Sequence, residues 1–371
     1  MARAEIAALL PQMETHPLSG RRLVELKGHA SIKHLDEAVA ISSGCQAILC
    51  NAVIWSWEQH QSLDALVTRV SEHIAQHERK GSVAVRAWRH EGRIEGLGPS
   101  QLAQKIGGRF HDLGYAIDLE EPENRFGVVL DASSNTIACG WMVGFGEESD
   151  GLAGRKAAER PFFKPVSLDP RLARLAVNLA SGPVARGTTL DVMTGTGGFL
   201  IEAALSGRSS IGLDLDEAMV SGTVQNLEWA LKESGQKKHN GLVLHGDATA
   251  LEQHLPSTML PIVGFVLDPP YGRNSQGSLA PMSLLGRVLE SSSRVASANA
   301  GLVLILPIHP MGEHTDSPLN EDESINLLHG TWKETEQALL NAGWSVQAKW
   351  VEHVHASLSR LILHATIVPR D

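Results

Sequence analysis

The run Asp268-Pro269-Pro270-Tyr271-Gly272 carries the clearest chemistry in the chain. Two successive prolines fix φ and remove two N–H donors, so nearby carbonyl oxygens stay free to accept hydrogen bonds. Asp268 adds a carboxylate acceptor and Tyr271 a ring face for stacking. An exocyclic amine on a heterocycle needs this set. Its lone pair is delocalised and poorly nucleophilic. Acceptors that hold its N–H groups localise the pair and stabilise positive charge developing on nitrogen. A second run, Asp191-Val-Met-Thr-Gly-Thr-Gly-Gly198, combines an acid with glycines at 195, 197 and 198. It is neither GxGxxG nor a P-loop, since no GK[ST] follows. A carboxylate aimed into a glycine turn repels pyrophosphate and suits a ligand with a positive amino group. Asp214 could hold ribose hydroxyls, and Asp247 with Ala248 could face a 6-amino purine edge. Acids facing amine, ribose and adenine fit S-adenosylmethionine better than NAD. The plainer alternative is that these acids cap helices.

Those residues need strands to place them. From Leu168 onward helical stripes alternate with short apolar runs at Thr188–Val192, Ser210–Leu213, Leu242–Leu244, Ile262–Leu267 and Leu302–Pro307. This predicts βαβ units and a mostly parallel, doubly wound sheet, with ligands at the carboxyl ends of its strands. Ser345–His353 and Arg360–Val368 read as a closing hairpin. Upstream, Cys45–Trp57, Ser82–Trp88, Phe126–Leu130 and Thr136–Trp141 have strand composition. Residues 62–77 and a segment from Pro99 have helical spacing, with Ser62 and Asp64 placed at the first helix start. The charged, glycine-bearing run Glu147–Lys156 reads as a linker.

Composition bounds the remaining choices. The chain has 371 residues, 43% hydrophobic and 20% charged, as in globular proteins, with a formal charge of −10. No apolar run approaches the ~18–20 residues of a membrane span, and the first residues do not read as a secretory signal. Three cysteines without a CxxC argue against a disulfide framework and a zinc cage, and no metal site is expected. A cytoplasmic location follows as an expectation. The acidic balance disfavours nucleic acid overall, but basic residues segregate: Arg86, Arg89 and Arg93 with Lys105 and Arg109, then Arg155, Lys156, Arg160, Lys164, Arg171 and Arg174. Phosphate contacts depend on such local patches.

At these motifs the chain resembles the archaeal tRNA guanine-10 N2-methyltransferases, relatives of a eukaryotic tRNA enzyme that acts with a small zinc-binding activator subunit. Leu190 to Ala203 is similar to the family's LDPFCGTGG cofactor turn, departing at Val192, Met193 and Thr194, and Asp268 to Arg273 matches its amine-acceptor motif. Arg160 to Arg174 matches a segment that in the family closes over the methionine end of the cofactor, which brings in Phe163 and Ser167. His353 to Arg360 matches a loop in the last hairpin, where packing or RNA contact suits the histidines better than catalysis. Gly81 to Gly140 is similar to a THUMP domain, an RNA-binding module, through Val83–Arg86, Leu102–Gly108, Ala116–Leu119 and Val128–Leu130.

The resemblance implies an α/β fold: a Rossmann-like doubly wound methyltransferase domain behind N-terminal ferredoxin-like and THUMP domains. The expected partition is 1–60, 61–145, a linker at 146–166, and 167–371. The implied activity is methyl transfer from S-adenosylmethionine to guanine N2 of tRNA. Asp268, Pro269, Pro270 and Tyr271 would be catalytic, and Asp191, Gly195, Gly197, Asp214, Asp247, Ala248 and Asp268 would join Phe163 and Ser167 around the cofactor. Arg86, Arg89, Arg93, Lys105, Arg155, Lys164 and Arg273 would meet RNA. Alternatives are a THUMP enzyme for guanine 6 or rRNA, a DNA amino-methyltransferase, and a non-catalytic tRNA-binding subunit. Neither a membrane nor DNA is an expected partner.

Overall fold

The computed structural model describes all residues except 21, 59–61, 145–151, 153, 165–167, 237–238, 271–280, 312–317, 320–324 and 369–371. The first part of the chain runs α1 (Ala2–Leu9), β1 (Glu14–Pro17), β2 (Val24–Lys27), α2 (Ile32–Ile41), β3 (Ile48–Ser56), α3 (Leu63–Gln76), β4 (Val83–His90), α4 (Pro99–Asp112), β5 (Asn124–Asp131) and β6 (Thr136–Val143). It continues α5 (Pro170–Ser181), β7 (Thr188–Asp191), α6 (Gly198–Leu205), β8 (Ser209–Asp214), α7 (Glu217–Glu233), β9 (Asn240–His245), α8 (Leu251–His254), β10 (Ile262–Leu267), α9 (Pro281–Val295), β11 (Ala296–Ile308), α10 (Trp332–Asn341), β12 (Trp344–His355) and β13 (Leu358–Ile367).

Two compact units result. The smaller comprises Gln12–Ala40 and Cys45–Gly146. Its sheet has the order β3-β6-β5-β4, with β4 and β5 parallel and the other pairs antiparallel. Ser62 caps α3 by accepting from the Ala65 amide at 3.1 Å. Leu102, Ile106 and Phe110 recur at helical spacing and bury one face of α4. Phe110, Phe126 and Trp141 pack edge to face, with Phe110 5.2 Å from Phe126 and Phe126 5.5 Å from Trp141. The Trp141 indole N–H donates to the His77 carbonyl at 2.7 Å, so its polar end is not orphaned.

The larger unit comprises Met1–Pro11, Ile41–Gly44 and Glu147–Asp371. Its seven strands are ordered β12-β13-β11-β10-β7-β8-β9, parallel except for β13. The parallel strands are apolar because helices cover both faces. Phe265 and Leu267 face the layer containing Val288 and Leu289 of α9, while Val266 faces Ala176 and Leu179 of α5. A Cβ on Gly301 of β11 would fall 2.3 Å from the Ala180 carbonyl oxygen, so glycine sets how closely α5 approaches the sheet. The chain leaves β7 for β8 on one side and returns to β10 on the other. The switch point therefore lies between the carboxyl ends of β7 and β10, where such sheets bind ligands.

The structure divides the chain differently from a break at residue 60. Strand β3 belongs to the same sheet as β4 to β6, whereas α1 packs in the larger unit. The cause is one buried carboxylate. Glu5 is fully buried and accepts from Ser42 Oγ at 2.8 Å, the Ser43 and Gly44 amides at 2.8 and 2.9 Å, and Asn178 Nδ2 at 2.7 Å. Asn178 also donates to the Ile41 carbonyl and accepts from Arg208 Nη2. Two distant segments are thereby fastened to α5. Most of the expected 146–166 linker lies outside the described residues.

Replacing Asn178 by leucine leaves the Glu5 carboxylate and the Arg208 guanidinium buried without this partner, which costs about 2–4 kcal/mol. Urea unfolding of the full-length chain, followed by tryptophan fluorescence, should show that loss; a change below about 0.5 kcal/mol would contradict the network's role.

Candidate active site

Asp191 ends β7 and Asp268 follows β10, and Val266 pairs in register with Asp191. The two acids therefore flank the switch point from neighbouring strands. Asp214 ends β8 on the other side of β7. Charge links all three: Asp214 and Asp268 both push the Asp191 pKa upward, after the larger effect of burial itself. Asp191 is 2% exposed, and its pKa is raised to about 7. Thr194 Oγ1 donates to Asp191 Oδ2 at 2.8 Å, and the Leu200 amide also favours the charged form. Asp191 Oδ1 is buried, and among the described residues no donor is well aligned on this oxygen.

The glycine turn that follows is held from three sides. Asp214 accepts from the Gly195 amide at 2.8 Å and the Asp216 amide at 3.0 Å, so one carboxylate braces the turn and the start of α7. Thr223 Oγ1 donates to the Gly195 carbonyl at 2.8 Å. Asn226 Nδ2 donates to the Thr196 carbonyl at 2.9 Å. Gly197 has φ +82°, and a Cβ there would come within 2.8 Å of Thr223, so the turn requires glycine. A Cβ at Gly195 would meet nothing within 4 Å, so this side of the turn faces open space.

Asn226 also closes a second loop onto the turn. Its Oδ1 accepts from the Phe162 amide and its Nδ2 donates to the Phe162 carbonyl, both at 2.8 Å. The Phe162 ring lies against Gly222 of α7, where a Cβ would be only 2.1 Å away. Phe163, by contrast, is 52% exposed. Ser167 lies outside the described residues. Asp247 is exposed, and its Oδ1 accepts from the Thr249 amide and hydroxyl, capping the turn after β9; Ala248 beside it is buried.

After β10, Asp268 and Pro269 are half-buried and Pro270 is exposed. An apolar cavity of about 50 Å³ adjoins them, lined in part by Met193, Leu267, Pro269, Pro270 and Pro307. Tyr271 and Arg273 lie outside the described residues. His353 and His355 are exposed on the closing hairpin, with His355 Nδ1 bonded to Ser357. Among the described residues no His, Cys, Asp or Glu group could hold a metal ion, and no helix is long and apolar enough to cross a membrane.

Within the smaller unit the basic residues do not form one patch. Arg86 and Arg89 lie three apart on β4 and so face opposite sides of the sheet. Arg86 donates to the Leu119 carbonyl at 2.7 Å, and Lys105 pairs with Asp64 at 2.7 Å. Arg89, Arg93 and Lys164 are exposed. Arg155 departs from its expected role. Its guanidinium bonds both oxygens of Glu202, which is fully buried, and Arg174 bonds the same carboxylate. Arg155 serves a buried ion cluster, not a surface face for RNA.

Sequence reasoning missed Thr194, Thr223 and Asn226. A signal existed for the last two: Gly222, Thr223 and Asn226 share the helical face of Leu227 and Ala230, polar or small residues where an apolar stripe would be expected.

A family model described as an RMKL-like methyltransferase domain matches residues 157–315. The tRNA (guanine(10)-N2)-dimethyltransferase of Pyrococcus abyssi is 35% identical over 264 residues, covering 70% of this chain and 67% of that protein. The enzyme of the same name from Methanothermobacter thermautotrophicus is 29% identical, covering 68% of this chain and 63% of that protein. Among solved structures, TrmN from Thermus thermophilus is 18% identical with a TM-score of 0.44, covering 99% of this chain and 96% of that one.

The Asp191 environment has a measurable consequence. A carboxyl whose folded pKa exceeds its unfolded value binds a proton more tightly when folded, so stability falls as pH rises between the two values. For Asp191 that window runs from 3.8 to about 7. Asp191→Asn should flatten this part of the stability profile and make the ligand-free protein more stable than wild type above the window. Urea midpoints at several pH values test this; parallel profiles for the two proteins would contradict it.

Proposed function

Because the chain belongs to the tRNA (guanine(10)-N2)-dimethyltransferase family, we propose that it transfers methyl groups from S-adenosylmethionine to the N2 amine of guanine 10 in tRNA. The observation that carries the reading is that Asp191 and Asp268 flank the switch point, with Asp214 at the end of the adjoining strand and two prolines after Asp268. The donor set fits this cofactor: Asp191 Oδ1 is a buried acceptor beside an open glycine turn, suited to the ammonium of the methionine moiety. Asp214 would meet the ribose hydroxyls, and the Asp247-Ala248 turn the adenine edge. When bound, S-adenosylmethionine supplies a methyl group on a positive sulfonium.

The chain's own part is positioning and charge. Asp268 would accept from the guanine amine, and no amide N–H at 269 or 270 competes for it. Holding N2 this way turns its lone pair toward the methyl donor and stabilises the positive nitrogen that forms. The Asp268 carboxylate is then placed to take the proton that nitrogen releases. Asp191 helps by exchanging its proton for the cofactor's ammonium, because an opposite charge lowers a carboxyl pKa. An apolar cavity adjoins Pro269 and Pro270 beside the acceptor set. Tyr271 would stack on the base once it leaves the RNA stack. The four-stranded unit, with exposed Arg89 and Arg93, would grip the tRNA through phosphates and shape.

Asp268→Ala should keep cofactor affinity and lose on the order of 10²–10³ in the rate of methyl transfer to an unmodified tRNA transcript. Labelled methyl incorporation alongside calorimetry with S-adenosylhomocysteine separates the two effects. A rate within about threefold of wild type would remove Asp268 from the chemistry.

A further inference from the structure

Arg160 is 4% exposed, and among the described residues its side chain makes one hydrogen bond, from Nε to the Arg155 carbonyl at 3.0 Å. Both terminal nitrogens, Nη1 and Nη2, are buried without a partner among those residues. A guanidinium is strongly penalised in such a place unless an anion joins it. Its position is specific. Nη1 would be 3.6 Å from a Cβ on Gly198, so the guanidinium reaches the first residue of α6, where the glycine turn ends. The helix N-terminus adds positive potential there.

The surrounding charge has the same sign. Arg155 and Arg174 both bond Glu202, which lies one helical turn after Gly198. Glu202 favours the charged form of Arg160 and Arg155 disfavours it, with the exposed Asp169 a smaller influence. Among the described residues Glu202 is thus already bonded by two guanidinium groups, and it makes no hydrogen bond to the Arg160 terminal nitrogens. Across the same turn stands Asp191, with its orphaned acceptor.

We propose that Arg160 pairs with the carboxylate of the methionine moiety of S-adenosylmethionine. This rests on the methyltransferase reading above and extends it to a residue and a ligand group. The ammonium and carboxylate of that moiety are borne by one carbon, so the groups that hold them must be neighbours. Asp191 and Arg160, at the two ends of one glycine turn, meet that requirement with opposite charges. Asn226 is then a positioning residue, because its paired bonds to Phe162 fix the backbone two residues from Arg160.

Calorimetry on the full-length chain with S-adenosylmethionine and its decarboxylated analogue tests this. The analogue keeps the amine, sulfonium and adenosine but lacks the carboxylate. Wild type should prefer S-adenosylmethionine by about 10- to 100-fold. Arg160→Gln should lose about that factor for S-adenosylmethionine and change by less than about threefold for the analogue. A structural role alone would weaken both ligands alike, and that result would overturn the assignment. So would a wild-type protein that binds the two equally, a comparison that needs no variant to fold. Wild type that binds neither ligand would instead overturn the methyltransferase reading, and this assignment with it.

Discussion

Carboxylates recognise a cationic ligand only while they hold their charge, and burial makes that hard at Asp191. The residue sits at the end of a central strand with two more acids nearby, and its pKa reaches about 7. The remainder of the site is arranged around this tension. Thr194 and the Leu200 amide support the charge from one side, while Asp214 holds the adjoining glycine turn with one oxygen and the start of α7 with the other. A positive ligand relieves the strain that the sheet topology creates. Affinity for a cation and the cost of keeping its site ready have one source.

The opposite charge is buried a few residues further on. Glu202 gathers Arg155 and Arg174, and Arg160 adds a third cation at the helix start. Acids at one end of a glycine turn and guanidinium groups at the other make a dipolar socket. A zwitterion fits such a socket better than an anion or a cation alone. The turn keeps its shape because Thr223 and Asn226 of the following helix hold its carbonyls. The same Asn226 closes the Phe162 segment over it.

Much of the larger unit was legible in the sequence. Ile262–Leu267 was read with its observed ends, because a run of apolar residues bounded by prolines has few other readings. Asp191 and Asp268 were legible because acids directly after such strands must lie at the sheet's carboxyl edge. Asp214 was placed correctly in space, but its bonds to the Gly195 and Asp216 amides could not be read from spacing. The place of α1 was not legible. Glu5 lies far along the chain from Asn178, and a single buried hydrogen-bond network has no periodicity. Arg155 was misread for a related reason: in sequence, a buried arginine looks like an exposed one until its carboxylate partner is known.

The central claim is that the site acts on one exocyclic amine of one base. Two tRNA transcripts, one with guanine and one with inosine at position 10, differ only in the N2 amine there. Incubation with S-adenosylmethionine, digestion and nucleoside mass spectrometry should give N2-methylated guanosine from the first and no methylated nucleoside from the second. Equal methylation of both transcripts, or a methyl group found on another base, would contradict the account.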